Sequence, residues 1–142
     1  MVNLNDVIIT PLKKIESNRG SVLHCLKHTD QNFSKFGEAY FSFINYRSIK
    51  AWKMHKKMKL NITVPQGLIK FVFFDGENKF REEFLGINRY FRLTIPPLVW
   101  FGFCGLAKPN SILLNIADII HDKDEIELKE ISDINYDWYK NL

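Results

Sequence analysis

The chain reads as an all-β protein, an antiparallel sandwich or barrel. Three observations predict this. About ten short apolar runs follow one another at close spacing. Several alternate apolar with polar residues, as in Leu60-Asn61-Ile62-Thr63-Val64, which is the period of a strand with one dry and one wet face. Turn-forming residues part the runs, among them Asn18-Arg19-Gly20, Gln66-Gly67 and Asp75-Gly76, types that tolerate left-handed backbone angles. The 142 residues suit one domain, 1–142. A chain of that length removes about 70% of its unfolded surface from water, enough for a core without staples.

Taken in order, Val7-Ile8-Ile9 is a short strand stopped by Thr10-Pro11, and Val22 to Leu26 is the next. In Glu38-Ala39-Tyr40-Phe41-Ser42-Phe43-Ile44, alternation places Ala39, Phe41 and Phe43 on one face and Tyr40 and Ser42 on the other. Ile49 to His55 is a basic strand. Met58 to Val64 and Leu68 to Phe74 follow, and Asp75-Gly76 is a hairpin signal. Arg81 to Leu85, Arg89 to Ile95, Leu98 to Phe103 and Ser111 to Ala117 complete the strands, with Pro96-Pro97 and Lys108-Pro109-Asn110 as breaks. Asp122 to Ile131 is the one helix candidate, of poor amphipathicity. The tail Asn135-Tyr136-Asp137-Trp138-Tyr139 carries large aromatics that predict docking on the body or on a partner subunit.

Composition narrows the function. Hydrophobic residues make up 46% of the chain and twelve are Phe, which excludes a disordered segment. The net charge of +4 suits an anionic ligand, but it is dispersed and lacks the basic stripe of a nucleic-acid binder. No apolar run reaches the roughly 20 residues of a membrane span, and the N-terminus lacks the pattern of a secretory signal. The expectation is a soluble, cytoplasmic protein that binds neither nucleic acid nor membrane. Cys25 and Cys104 lie among apolar neighbours and predict buried free thiols.

The densest chemistry lies in Ser48-Ile49-Lys50-Ala51-Trp52-Lys53-Met54-His55-Lys56-Lys57-Met58. Lys53 and His55 are two apart on a strand, so an ammonium and an imidazole share one face. This pair is the candidate centre. Lys56 and Lys57 read as solvated edge charges, and His24 and His28 as loop residues. His121-Asp122 is not a dyad, since strand neighbours point oppositely. Phe71-Val72-Phe73-Phe74 and Phe101-Gly102-Phe103 read as core or dimer interface.

The order of motifs resembles the small cupins that process nucleotide-linked 4-keto-6-deoxysugars, an RmlC-like jelly-roll family. Asn18-Arg19-Gly20-Ser21 is similar to their entry turn, and Ile95-Pro96-Pro97 with Trp100 to their Pro-Pro turn. Lys53-Met54-His55-Lys56 resembles the His-x-His-Lys of the dTDP-4-keto-6-deoxyhexose 3,4-ketoisomerases, with Lys53 in place of the first His. Asp75-Gly76 and Arg81-Glu82-Glu83-Phe84 lean the same way. Leu114-Asn115-Ile116-Ala117 and the tail from Ile131 to Trp138 lean to the dTDP-4-dehydrorhamnose 3,5-epimerases. Metal-binding cupins place a second His where this chain has Phe101. With one imidazole and no nearby carboxylate, no metal is expected. The epimerases' Tyr acid is matched by the stretch Asp118-Ile119-Ile120-His121, which has no Tyr. Lys59 is the nearest match to their enolate-stabilising Lys but is one residue out of register, so Lys53 is the better cation.

The resemblance implies a cupin barrel, a homodimer and a nucleotide-diphosphate sugar as substrate. His55 would be the base, since imidazole titrates near neutrality. Lys53 would stabilise the enolate and Tyr40 would return a proton. Arg19 with Lys50 or Arg92 would hold the diphosphate, and Lys59 is a further substrate-binding candidate. No cofactor is needed. Epimerisation is the first reading for function, in surface polysaccharide synthesis. The alternatives are 3,4-ketoisomerisation and an inactive sugar-binding cupin.

Overall fold

The computed structural model describes residues 2–142. Twelve strands are present among them: β1 (Ile8–Pro11), β2 (Lys14–Ser17), β3 (Gly20–Leu23), β4 (Glu38–Asn45), β5 (Ile49–His55), β6 (Leu60–Gln66), β7 (Leu68–Phe74), β8 (Phe80–Gly86), β9 (Phe91–Ile95), β10 (Trp100–Gly105), β11 (Asn110–Ala117) and β12 (Ile126–Leu128). One five-stranded sheet runs β1-β9-β6-β11-β4, a second runs β12-β5-β10-β7-β8, and β2 pairs with β3 in a separate hairpin. The strand pairings are antiparallel. The two large sheets pack face to face as a sandwich, the expected all-β class. No helix is long and apolar enough to cross a membrane.

Alternation decides which side chains enter the space between the sheets. On β11, Ser111, Leu113, Asn115 and Ala117 are buried while the residues between them are half-exposed. The core between the sheets contains Ile44, Leu60, Ile62, Val64, Ile69, Phe71, Phe73, Leu85, Leu93, Ile95, Phe101 and Leu113. Both cysteines are free; Cys104 is buried and Cys25 half-buried.

Asp122 to Ile131 corrects the helix expectation. Lys123–Glu125 is a single 3-10 turn capped by the Asp122 side chain, and Ile131–Asp133 is another. Between them, β12 lies along the edge of β5, with Ile126 opposite His55 and Leu128 opposite Lys53. An edge with unpaired backbone groups is a better partner for this stretch than a weakly amphipathic helix would be. Downstream, Ile134 and Trp138 pack with Trp52, Val72 and Cys104 in a second cluster, so the tail docks on the body of its own chain. Beneath it lies Lys70, wholly buried. Its Nζ donates to the Trp138 carbonyl at 3.3 Å and lies 3.7 Å from Glu82, which itself accepts from the Tyr136 hydroxyl.

Candidate active site

The sandwich is not filled to its end. A cavity of about 640 Å³ opens where Tyr40, Ser42, Leu113 and Asn115 of the first sheet face Lys50, Lys53, His55 and Phe101 of the second. That volume is in the range of a small-molecule site. The end of β12 and the segment after it form its lip, through Leu128, Lys129, Glu130 and Asp133.

On the second sheet, Lys53 and His55 line the cavity together, as their spacing of two predicts. Lys50 joins them although it is three residues from Lys53, a spacing that a regular strand would send to the other face. The register explains it. Phe101 pairs with Lys53 and Phe103 with Lys50, so Ala51 and Trp52 together stand opposite Gly102. Such a bulge re-aims side chains. Gly102 is needed there: a Cβ on it would lie 2.4 Å from the Cβ of Ala51.

Glu125 is the residue that sequence reasoning missed, and it corrects the expectation of no nearby carboxylate. The Glu125 Oε1 accepts from the His55 Nδ1 at 2.5 Å, and both residues are buried. Its Oε2 accepts from the backbone N–H groups of Lys57 at 3.0 Å and Met58 at 3.2 Å. Burial pushes the Glu125 carboxyl upward, but the bonds from His55 and the two backbone amides outweigh it and hold the group below its usual range. An ionised Glu125 accepts Nδ1–H, which leaves the Nε2 lone pair of a neutral His55 as the base. The imidazole stacks on Phe101, with centroids 6.2 Å apart and planes at 24°. His55 and Glu125 are two potential metal ligands bonded to each other, and no group of three or more His, Cys, Asp or Glu is gathered among the described residues.

Lys53 is half-buried. Burial lowers the pKa of its amine, the charge of Lys50 lowers it further, and Glu125 partly opposes them. On the opposite wall, Asn115 pairs with Tyr40 across β11 and β4, and the Asn115 Nδ2 donates to the Tyr40 hydroxyl oxygen at 2.9 Å. Leu60, Ile62, Phe103 and Leu113 supply apolar surface between these polar groups.

Three expected substrate ligands lie elsewhere in the subunit. Arg19 is exposed in the turn between β2 and β3. Lys59 precedes Leu60 and Ile62, which do line the cavity, so alternation turns it away; its backbone N–H is held by Asp118 at 2.8 Å. Arg92 is buried on β9 and donates to the Cys25 carbonyl at 2.8 Å and to Asp30 at 3.1 Å. Its guanidinium serves the loop before β4 rather than the cavity. Of the four expected cations for substrate, Lys50 is the one at the cavity wall.

No protein-family model matches the sequence, and no curated protein does. Solved structures do match. A dTDP-sugar isomerase from Desulfovibrio desulfuricans G20 is 34% identical, with a TM-score of 0.88 over 93% of this chain and 90% of that one. This chain belongs to the dTDP-sugar isomerase family of RmlC-like cupins. The fold extends to more distant structures. QdtA, a sugar 3,4-ketoisomerase from Thermoanaerobacterium thermosaccharolyticum solved with TDP, is 19% identical over 88% of this chain and 89% of its own, with a TM-score of 0.76. The dTDP-4-dehydrorhamnose 3,5-epimerase of Bacillus anthracis str. Ames, solved with TDP and PPi, is 19% identical over 90% of this chain and 81% of its own, with a TM-score of 0.71. In this RmlC-like cupin the cavity between the sheets is therefore the candidate active site.

Proposed function

We propose that the protein is an epimerase acting on a dTDP-linked 4-keto-6-deoxysugar, and that it inverts a carbon next to the ketone. One observation carries this reading: the His55–Glu125 pair and the Tyr40 hydroxyl stand on opposite walls of one cavity. Inversion needs a base on one face of the carbon and a proton donor on the other. The 34% identity to a dTDP-sugar isomerase supports the substrate class.

The steps follow from the geometry. The His55 Nε2 takes the proton from the carbon α to the ketone, and Glu125 stabilises the imidazolium through Nδ1–H. Charge builds on the ketone oxygen, where the Lys53 ammonium meets it. One such donor contributes about 3 kcal/mol. Tyr40 then delivers a proton to the opposite face, and solvent restores both groups. The ketone is its own electron sink, so no cofactor is required. Lys50 supplies a point charge for the diphosphate.

The exposed outer face of β4 and β11 suggests a homodimer. Phe41 and Phe43 are 64% and 60% exposed and pair with the half-exposed Leu114 and Ile112. We propose that a second copy covers this apolar strip. Sedimentation should show a dimer that Phe41→Glu with Phe43→Glu converts to monomer; a wild-type monomer refutes it.

Incubation with TDP-4-keto-6-deoxyglucose in deuterated water tests the function. Deuterium at C3 or C5 with the ketone still at C4 supports epimerisation. A ketone moved to C3 means a 3,4-ketoisomerase, in which His55 alone shuttles the proton on one face. Binding without exchange means an inactive sugar-binding cupin.

A further inference from the structure

Asn115 is a buried amide whose arrangement the fold itself does not explain. It is 4% exposed and points into the sandwich between Leu113 and Ala117. Its Nδ2 has one partner, the Tyr40 hydroxyl. Its Oδ1 is buried with no partner. A buried polar atom left unpaired is destabilising, and most buried side-chain polar atoms do find a partner. An apolar side chain of the same size would suit the neighbouring Leu113, Leu60 and Ile62 better. The amide therefore costs stability, and what it delivers in return is the bond to Tyr40.

That bond has a direction. A phenol carries one hydrogen and can accept through its oxygen. With Asn115 donating into the oxygen, the Tyr40 hydrogen is left to point elsewhere. Tyr40 is partly exposed and lines the cavity, so the free hydrogen faces the space where a ligand would lie. The same N–H stabilises the phenolate that remains once the proton has gone, because a donor to a charged oxygen is stronger than one to a neutral oxygen.

We propose that Asn115 is a positioning residue, which holds the Tyr40 phenol as a proton donor aimed into the cavity and supports the phenolate formed on proton transfer. The proposal rests on the epimerase reading and deepens it, by naming the group that makes the second wall competent. His55 removes the proton from the α-carbon, Tyr40 O–H supplies a different proton to the opposite face, and the Tyr40 oxygen keeps the electron pair while accepting from Asn115.

Two variants test it, read by turnover, by exchange and by thermal melting. Asn115→Leu removes the donor and the unpaired acceptor together. Asn115→Asp replaces the donor by an acceptor, which takes the Tyr40 hydrogen for itself. With TDP-4-keto-6-deoxyglucose in deuterated water, both variants should lower kcat for product by about 10- to 100-fold, a fraction of what a general acid supplies, with KM within about 2-fold. His55 still works in them, so the ratio of deuterium in recovered substrate to product formed should rise by a similar factor. In a Tyr40→Phe background, Asn115→Leu should change product formation by less than about 2-fold. Multiplying effects in that background, or an unchanged exchange-to-product ratio, overturn the proposal. Thermal melting judges it separately from the reaction. Asn115→Leu should melt above the wild type, since an unpaired buried acceptor is gone. A lower melting temperature means the amide serves the fold, and that overturns the proposal even if the wild type catalyses nothing. An inactive wild type with a more stable Asn115→Leu sinks the epimerase reading instead.

Discussion

Changing Glu125 to Gln tests the base in a way that volume cannot explain. The Glu125 carboxylate makes three bonds: the Oε1 accepts from the His55 Nδ1 at 2.5 Å, and the Oε2 from the backbone of Lys57 and Met58 at 3.0 and 3.2 Å. A glutamine has one acceptor oxygen and one amino group. Its amino group cannot face two backbone donors, so the oxygen takes that position and the NH2 turns to His55. It then donates to Nδ1, which forces the ring proton onto Nε2 and removes the lone pair that faces the substrate. General-base catalysis contributes about 10²–10⁴-fold, and holding a catalytic imidazole in the wrong tautomer costs up to about 10⁴-fold. The expected loss is on the order of 10³–10⁴, or about 4–5.5 kcal/mol on the barrier. The assay is the rate of deuterium entry at the α-carbon, measured by NMR, with KM followed in parallel. A Glu125→Gln protein within about 3-fold of the wild type refutes the dyad. The same substitution has a pH signature. The Glu125 carboxyl is held below its usual value in the fold, so between that lowered value and about 4.3 the unfolded chain binds more protons. Its contribution to stability is complete above the usual value and is lost as pH falls through the lowered one. Acid unfolding of Glu125→Gln should therefore lack that component below about pH 4.3.

Other outcomes follow from the same geometry. Lys53→Met should lower kcat by about 10²–10³-fold, the effect of one missing donor at a developing oxyanion, with substrate affinity measured by calorimetry nearly unchanged; equal loss in binding and turnover would place Lys53 at the diphosphate instead. Gly102→Val should force β10 away from Ala51, where even a Cβ would lie at 2.4 Å, and displace Lys50 relative to Lys53; wild-type kcat and KM in a folded variant would contradict the role of the bulge. Trp138→Ala should cost about 3–5 kcal/mol in denaturant unfolding, as for other buried aromatics, because the ring packs on Trp52 and on Tyr136, each at 5.1 Å. An unchanged midpoint would show that the tail does not hold to the body in solution.

The parts of the site that one strand carries alone were legible in the sequence. Alternation separated Tyr40 and Ser42, which line the cavity, from Phe41 and Phe43, which face outward. It also put Lys53 and His55 on one face. Charge marks Lys50 as a substrate ligand, but its arrival at the same wall depends on a bulge. The sequence trace of that bulge is Gly102, a lone glycine inside a strand pattern on the neighbouring strand. Glu125 was illegible for another reason. It meets His55 across 70 residues, through an edge pairing with no local periodicity, in a stretch whose mixed charges resemble a helix surface. Arg92 shows the reverse error. A charged residue in a strand reads as a ligand group, while the loop from Cys25 to Asp30 supplies its partners.

Proton removal from one wall and proton return from the other fix the stereochemistry of the product. The most direct measurement is the configuration of the labelled carbon after a single turnover in deuterated water, read by NMR from the coupling constants of the product. Deuterium should appear at an inverted α-carbon, with Tyr40→Phe leaving exchange into recovered substrate but little inverted product. Label retained on the original face, or carried to C4, would place both steps on the His55 wall and contradict it.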